Sequence, residues 1–279
     1  VNKGGVFLYD TEQSFFASRA VWAKKSAAGF ESEEIDAKRI AYDVPSINDK
    51  FRHGVHSYGW GQVQDPLDLV RELARSAQSN GVVFIQNRVN GLSEGKHSVT
   101  LETDEGGKLH DAVIVAAGVG SVQFAKSCGD FLPIAAERGY NLTIQDPGVE
   151  LDLPLVFADR GIVATQVTSG LRIGGWAEYA RPDRPANQNY YKSIARISQE
   201  LFPGLNMSNT NYWMGNRPSL PDSVPVISRS RNTHRVYYNC GHGHYGLSFS
   251  ATSARLLCDL IDGSGDLSNH KLYSIDRFI

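Results

Sequence analysis

Apolar and polar positions in the first part of the chain predict one strand and one helix before an irregular stretch. The apolar run at residues 4–9 is typical of a short strand. Thr11 then predicts the N-cap of a helix that continues to about residue 28. The apolar positions expected on the buried side of this helix are Phe15, Phe16, Ala20, Ala23 and Ala27. The polar stretch that follows, to about residue 61, has no regular period, so we expect it to be irregular.

Residues 62–127 alternate between helical and strand patterns, which is typical of an α/β fold. Asp65 and Pro66 begin a helix with a clear apolar stripe, and the pair Asn80-Gly81 ends it. Strands are then predicted at residues 82–86, 98–103 and 111–118, with a turn at residues 105–108. The last of these strands, DAVIVAAG, is apolar almost throughout, so we expect it to be buried on both faces of a parallel sheet.

The pattern of predicted elements changes between residues 132 and 226, where strands separated by turns predict a mixed or antiparallel sheet. The strands are YNLTI, GIVATQV and LRIGGWAEY, and one helix is predicted at about residues 187–202. A strand at residues 235–239 and a final helix restore the α/β pattern. We therefore predict two domains, each built from separated pieces: residues 1–61 with 130–228, and residues 62–129 with 229–279.

A glycine-rich turn leads straight from the last strand into the final helix, within the sequence YYNCGHGHYGLSFSATSARLLCDLIDG (237–263). Gly241, Gly243 and Gly246 remove side chains where the backbone turns, so a flat or charged ligand can approach the backbone closely. The first turn of a helix carries free N–H groups and a partial positive charge. The pattern predicts a site for an anion or a dipole, and a tight turn without a ligand is the alternative at this point.

The final helix has an apolar stripe, and two histidines precede it. The stripe, which we expect to be buried, consists of Leu247, Ala251, Ala254, Leu257 and Ile261, with Gly263 at the end of the helix. His242 and His244 do not form a zinc pair, because no third ligand lies nearby in the sequence. For His242, a hydrogen bond within its own turn is the alternative to a functional role.

Arg217 lies directly before Pro218 in a proline-rich segment just upstream, YWMGNRPSLPDSVPVIS (212–228). An arginine whose backbone is held by prolines loses little entropy on binding, which suits bidentate binding of a carboxylate. A surface arginine in a loop is the simpler alternative as long as the segment is considered alone.

Composition limits the possible classes of function. The chain has 279 residues and is 41% hydrophobic, which is enough for one large core or two moderate ones. Its formal charge of −2, from 28 basic and 30 acidic residues, provides no basic surface for nucleic acid. No apolar run is long enough to span a membrane, and Cys128, Cys240 and Cys258 lack zinc spacing. We expect reduced thiols, no bound metal and a cytoplasmic protein; association with the surface of the inner membrane stays open.

The two segments around Arg217 and the glycine-rich turn together resemble the carboxy-terminal part of the FAD-dependent D-amino-acid oxidase family, and within it the bacterial D-amino-acid dehydrogenases. Further similar segments occur in the family's order: GQVQDPLDLVRELARSAQSNGV, RVNGL, VIVAAGVGS, LPIAAERGYNLTI and LRIGGWAEY. The resemblance covers nearly the whole chain. It implies an α/β plus α+β fold, in which an FAD-binding parallel-sheet domain carries an inserted substrate domain with a mixed or antiparallel sheet.

The resemblance also implies roles for individual residues. Arg217 would bind the substrate carboxylate, His244 would lie beside the substrate, and Tyr140 would form a wall of the substrate site. The flavin would be contacted by His242, Gly243, His244, Tyr245, Gly246, Leu247 and Ser248. The remaining cofactor contacts would be Val89 near the adenine and Ala116, Ala117 and Gly118 along the cofactor. A packing role in the core is the alternative for Tyr140.

The implied reaction transfers a hydride from the α-carbon of a (D-)amino acid, or of a related secondary amine, to FAD while the amine is neutral. Positioning by Arg217 is then the main task of the protein, and no separate catalytic acid or base is expected. The helix start at residues 245–248 would stabilise the negative charge that develops on the reduced flavin.

One part of the family pattern has no counterpart in the chain. Members begin with a strand, a G-x-G-x-x-G turn and a helix that bind the FAD pyrophosphate, and this sequence contains neither that fingerprint nor an initiating methionine. We therefore expect a piece of a longer protein, in which exposed apolar sheet favours pairing with another chain. A truncated remnant that acts only as a folded or interaction module is the alternative to an enzyme.

Overall fold

The computed structural model describes residues 3–264 and 270–278, and the chain divides into two compact units. The first unit consists of Val1–Ser76, Gly139–Ala177 and Pro185–Gly215, and the second of Ala77–Arg138, Glu178–Arg184 and Asn216–Ile279. The domain boundaries predicted from the sequence stay a prediction. The compact units differ from them at residues 62–76, 130–138, 178–184 and 216–228.

Helices and strands of the described residues are numbered here in chain order. The helices are α1 (Glu12–Ala27), α2 (Ala37–Asp43), α3 (Pro66–Ser79), α4 (Ser121–Ser127), α5 (Gln188–Leu201), α6 (Gly246–Asp262) and α7 (His270–Tyr273). The strands are β1 (Gly5–Tyr9), β2 (Ser32–Asp36), β3 (His53–Ser57), β4 (Val89–Glu94), β5 (Val99–Thr103), β6 (Gly106–His110), β7 (Val113–Val115), β8 (Ala135–Ile144), β9 (Leu155–Phe157), β10 (Ile162–Val167), β11 (Gly170–Tyr179), β12 (Thr210–Ser219), β13 (Val226–Arg229) and β14 (Val236–Cys240).

The first unit contains a mixed sheet with the strand order β12-β8-β11-β10-β9-β1-β3-β2. Strand β1 pairs parallel with β9 and antiparallel with β3, so the predicted mixed sheet and the predicted strand at residues 4–9 are confirmed. The helix predicted at residues 187–202 is also confirmed, as α5. Residues of β8, β11 and β12 beyond the bounds of the first unit belong to the second.

Alternation along β8 places its apolar side chains in the core of the first unit. Leu142 and Ile144 are fully buried and pack in one cluster with Ile194 and Leu201 of α5. Tyr140 belongs to the same cluster: its ring stacks on Tyr190 at 4.7 Å, and its hydroxyl oxygen accepts a hydrogen bond from the Asn187 N–H at 3.1 Å. This environment favours the packing role of Tyr140.

Helix α1 begins as predicted, but of the five apolar residues predicted on its buried side only Phe15 is buried. The Thr11 hydroxyl oxygen accepts a hydrogen bond from the Ser14 N–H at 3.1 Å, which confirms the predicted N-cap. Phe15 and Trp22 are the buried residues of the helix, so the predicted stripe through Phe16 and the alanines is wrong. Phe16 is exposed, and the Arg19 guanidinium lies over its ring at 4.5 Å.

The stretch expected to be irregular contains regular structure, so this prediction is wrong. Residues 32–57 form β2, α2 and β3, and β3 lies between β1 and β2 in the sheet. Strand β3 has the sequence HGVHS, in which His56 and Ser57 are buried. Polar residues at buried strand positions conceal the apolar alternation on which the prediction depended.

The second unit has two three-stranded sheets, in the orders β13-β14-β7 and β4-β5-β6. The predicted strands at residues 98–103 and 235–239 are confirmed as β5 and β14. The turn predicted at residues 105–108 is tighter than expected, since β6 already begins at Gly106. The strand predicted at residues 82–86 is wrong: this segment forms no strand, and its apolar side chains are exposed.

Strand β7 is much shorter than the predicted apolar strand at residues 111–118. It pairs only with β14, in parallel, among the described strands. Val115 is buried, whereas Ile114 is 49% exposed, so burial on both faces is not found. The predicted stripe of α6 is also largely wrong. Leu257 is buried as expected, but Leu247 and Ile261 are exposed.

The close contact of β11 with β8 requires a glycine at position 170. Its φ is +125°, and a Cβ there would overlap the carbonyl oxygen of Ile144. We expect Gly170→Ala to lower the free energy of unfolding by about 2–3 kcal/mol, because the backbone must shift and adopt a strained φ. Urea titration of the purified protein measures this loss. Gly204→Ala is the matched control, since a Cβ at Gly204 meets nothing within 4 Å; equal midpoints for the two variants would contradict the expectation.

Candidate functional site

The glycine-rich turn between β14 and α6 is fixed against the end of β12. Gly241 and Gly243 have φ values of +79° and +52°, which other residues rarely adopt. A Cβ at Gly241 would overlap the side chain of Leu220. The Gly243 N–H donates to the Pro218 carbonyl oxygen at 3.0 Å. The two glycines therefore let the turn lie directly on the segment that carries Arg217.

Helix α6 starts directly after this turn without a side-chain cap. Its N-cap is Tyr245, which makes no capping hydrogen bond with its side chain. Leu247 and Ser248 in the first helical turn are exposed. Free N–H groups and the positive end of the helix dipole are therefore available to a ligand at this end of α6.

His242 and His244 have different environments although they are two residues apart. The His242 ring forms a hydrogen bond through Nε2 with the buried Ser253 hydroxyl at 2.9 Å. Burial lowers the pKa of His242, so this histidine is neutral near pH 7 and ties the turn to α6. His244, in contrast, is half-exposed and forms a short hydrogen bond with Glu137 through Nε2.

Glu137 on β8 is the centre of a polar cluster in the second unit. Its Oε1 atom accepts from His244 Nε2 and lies 3.4 Å from Arg217 Nη1. Its Oε2 atom accepts from the Ser219 hydroxyl at 2.7 Å and from the Tyr179 hydroxyl at 3.4 Å. The Glu137 side chain is only 8% exposed, whereas that of Arg217 is 28% exposed. The cluster thus joins the end of β12 to the turn before α6.

The charges of this cluster are coupled. Burial raises the pKa of Glu137, but hydrogen bonds from Ser219 and His244 and the charge of Arg217 lower it more, so the net pKa lies below the usual value for glutamate. The negative charge of Glu137 in turn raises the pKa of Tyr179. Glu137 is therefore ionised and Tyr179 is a neutral hydrogen-bond donor near pH 7.

A cavity of about 60 Å³ lies against this cluster. Its wall includes Glu137, Tyr179, Ser219 and His244, and the backbone of the glycine-rich turn completes it. The remaining lining residues are Leu220, Ser223, Gly241, His242, Gly243 and Tyr245. A small polar molecule in this cavity would therefore meet a carboxylate, an imidazole and a hydroxyl in one place, and Arg217 contacts the same carboxylate through Nη1.

The other residues predicted to contact a cofactor lie elsewhere in the second unit. Ala116, Ala117 and Gly118 directly follow β7, whose parallel partner β14 leads into the glycine-rich turn. Ligands of parallel sheets bind at the carboxyl ends of the strands, and both loops leave that end. Val89 begins β4 at a bulge and is partly buried against the core of the second unit.

Sequence reasoning did not single out Glu137, Ser219 or Tyr179. Alternation could have indicated Glu137, since Arg138 and Tyr140, its neighbours at positions that face the opposite side, are fully buried. Trp176 does pack: its Nε1–H donates to the Arg160 carbonyl oxygen at 2.9 Å. Within residues 3–264 and 270–278 we find no metal-binding group of side chains and no helix long and apolar enough to cross a membrane.

The lowered pKa of Glu137 predicts how stability depends on pH. A carboxyl group whose pKa is lower in the folded state stabilises the fold above its unfolded pKa, and this contribution is lost as the pH falls through the folded pKa. We expect Glu137→Gln to reduce the free energy of unfolding most near neutral pH, and the difference to shrink below about pH 4.3. Urea titrations at several pH values measure it. The exposed Glu105→Gln control should show little difference at any pH; a constant difference for Glu137→Gln would exclude an electrostatic origin.

The sequence and the fold together match one class of protein, the FAD-dependent oxidoreductases. The chain belongs to the DAO family of FAD dependent oxidoreductases, whose model matches residues 1–260. The family shows that homologues of this chain use FAD as their redox cofactor.

Individual relatives include oxidases and dehydrogenases of D-amino acids. The chain is 30% identical over 268 residues to a D-amino-acid oxidase of Bradyrhizobium diazoefficiens, covering 94% of this chain and 64% of that protein. It is 33% identical over 268 residues to a D-amino acid dehydrogenase of Allorhizobium ampelinum, covering 94% of this chain and 63% of that protein. The chain therefore spans somewhat less than two thirds of the length of these relatives.

Solved structures with the same fold have other substrates in their names. Glycine oxidase from Geobacillus kaustophilus superposes with a TM-score of 0.87 at 20% identity, covering 100% of this chain and 76% of that chain. L-proline dehydrogenase from P. horikoshii superposes with a TM-score of 0.83 at 18% identity, covering 100% of this chain and 77% of that chain. At this identity the similarity establishes the fold alone.

Proposed function

We propose that the protein oxidises the C–N bond of a D-amino acid, or of a related secondary amine, with FAD as hydride acceptor. One observation carries the proposal: Arg217 and the glycine-rich turn before α6 meet at a single polar cluster beside a small cavity. A carboxylate-binding cation and a helix start suited to an electron-rich ring thus occur side by side.

The residues present fit a flavin at the turn. Gly241 and Gly243 keep the backbone bare where it approaches the start of α6, and the first turn of α6 lacks a side-chain cap. His242, Gly243, Tyr245, Gly246, Leu247 and Ser248 would hold the ring, and Val89, Ala116, Ala117 and Gly118 would hold the rest of the cofactor. When bound, FAD supplies the capacity to accept a hydride. The N–H groups at the start of α6 would stabilise the negative charge that this creates.

Arg217 would hold the substrate through its carboxylate. Among the described residues, its hydrogen bond to Glu137 uses Nη1 alone, which leaves the Nε and Nη2 donors for a bidentate pair. A clamped carboxylate fixes the direction of the Cα–H bond, and orientation of this kind is a major part of catalysis for a cofactor that performs the chemistry itself. The core position of Tyr140 gives no support to its predicted place in the substrate wall.

Anaerobic flavin spectra test the function. The holoprotein is mixed with D-alanine, L-alanine, glycine, sarcosine or proline, and the absorbance of oxidised flavin is followed. We expect at least one amino acid to bleach the flavin band, and D-alanine to act faster than L-alanine. A bound flavin that none of these compounds reduces would overturn the proposal. A protein that stays colourless with FAD would favour a non-catalytic module, an alternative that no specific observation supports.

A further inference from the structure

The Glu137–His244 pair has the geometry of a proton acceptor. Glu137 is ionised, and an ionised carboxylate can only accept hydrogen bonds. The hydrogen between the two residues therefore belongs to His244 Nε2. A neutral imidazole that donates through Nε2 presents a lone pair at Nδ1. No partner of His244 Nδ1 occurs in the part of the chain that the structure describes.

The position of His244 allows a small molecule to reach its side chain. The side chain of His244 is 49% exposed and lines the cavity beside Glu137. His242 lines the same cavity, but its Nε2 atom is bound to Ser253. Of the two histidines of the turn, His244 thus combines a carboxylate partner with exposure to the cavity.

Oxidation of an amino acid requires that its ammonium group lose a proton. In water near pH 7 an amino acid carries a carboxylate and an ammonium group, and a nitrogen without a lone pair cannot support hydride departure from the neighbouring carbon. With the carboxylate bound at Arg217, the ammonium group would lie near the residues that share Glu137 with this arginine.

We propose that His244 accepts this proton at Nδ1 and that Glu137 is the positioning residue that stabilises the resulting imidazolium. The inference rests on the proposed function. In the step, one N–H bond of the substrate ammonium breaks and an N–H bond forms at His244 Nδ1, so the substrate becomes a neutral amine and no electrons are transferred. Carboxylate–imidazole pairs of this kind orient the ring and raise its basicity. The site then does more than position its substrate.

Charges from every neighbouring element act on His244. Glu137 from β8 is hydrogen-bonded to the ring, and Arg217 from β12 is paired with the same carboxylate. Tyr179 from β11 and Ser219 from β12 are neutral and donate to Glu137. Tyr245 packs near the imidazole with ring centroids 6.4 Å apart, and neutral His242 lies along the same cavity wall. The direct hydrogen bond gives Glu137 the largest influence.

A pH comparison of variants tests the pair. kcat/KM of the holoprotein with its best amino-acid substrate is measured between about pH 7 and about pH 10 for wild type, Glu137→Gln, His244→Asn and the exposed control Glu105→Gln. We expect both site variants to lose about 100-fold at the lower pH and to recover to within about 10-fold of wild type at the higher pH. The recovery occurs because the substrate amine then deprotonates in solution.

Two results would overturn the inference: no loss at the lower pH, or an equal loss at both pH values, which indicates a structural role. Flavin content and the urea midpoint are recorded for each variant. If Glu137→Gln does not fold, His244→Asn on the half-exposed turn decides. Turnover by wild type tests the proposed function separately, so a negative result for the pair leaves the proposed function standing.

Discussion

Replacing Arg217 with alanine is expected to lower kcat/KM for the amino-acid substrate about a thousandfold, or about 4 kcal/mol, while the flavin content stays unchanged. The change removes the proposed bidentate partner of the substrate carboxylate and leaves Glu137 without its cationic neighbour. Because a clamped carboxylate also aligns the Cα–H bond, both KM and kcat should worsen. Steady-state kinetics together with the flavin-to-protein absorbance ratio measure the two effects.

Two further variants sharpen this test. Arg217→Lys keeps the charge but not the planar fork, so we expect an intermediate loss. Arg181→Ala removes an arginine from an exposed ion pair with Asp183 and should leave the kinetics unchanged. If Arg217→Ala turned over amino acids with an unaltered KM, Arg217 would not be the carboxylate ligand.

Replacing Gly246 with valine is expected to weaken FAD binding about 100-fold. Gly246 is the first residue of α6, and a Cβ there would already lie 3.3 Å from the Cβ of His242. A branched side chain must therefore push the turn or project towards the free N–H groups at the helix start, and either result obstructs a flat ligand at that place. Calorimetric titration of the apoprotein with FAD measures the change.

Thr252→Val provides the matched control for this variant. It introduces the same side chain on the same helix, at a residue that is exposed, and we expect FAD binding to be unaffected. Gly246→Val that purifies with one flavin per protein would show that the start of α6 does not contact the ring.

Much of the fold was predictable because local signals and packing agree. Thr11 caps α1, and Asn187 caps α5, and both helices have nearly the bounds that the sequence predicts. The strands around residue 140 show clear alternation because one face packs on α5. In contrast, β2 and β3 were not predicted, because His56 and Ser57 occupy buried positions of β3 at which apolar residues are expected.

Other errors have a different physical cause. Val83 and Ile85 have every local property of strand residues, yet they are 79% and 75% exposed. A strand needs a neighbour with free N–H and C=O groups, and local sequence does not show whether one exists. Ile114 and Ile261 were likewise assigned to buried faces from pattern alone, and both are exposed.

The candidate site was predictable only where backbone geometry determines residue type. Gly241 and Gly243 are required by positive φ values, and Arg217 is marked by the prolines that follow it. Glu137 comes from a strand 80 residues before Arg217, and its role depends on partners that the fold brings together. No single-sequence pattern reveals a contact of that kind.

The hydrogen bond between Gly243 and Pro218 has a thermodynamic consequence. This hydrogen bond and the contacts of Glu137 connect the end of β12, where Arg217 would bind a carboxylate, to the glycine-rich turn, which would contact the flavin ring. A ligand that orders one of these two places would also order the other. By thermodynamic linkage, the substrate must then change the affinity for FAD by the same factor by which FAD changes the affinity for the substrate. The total free energy of binding FAD and substrate should therefore be the same whichever of the two binds first.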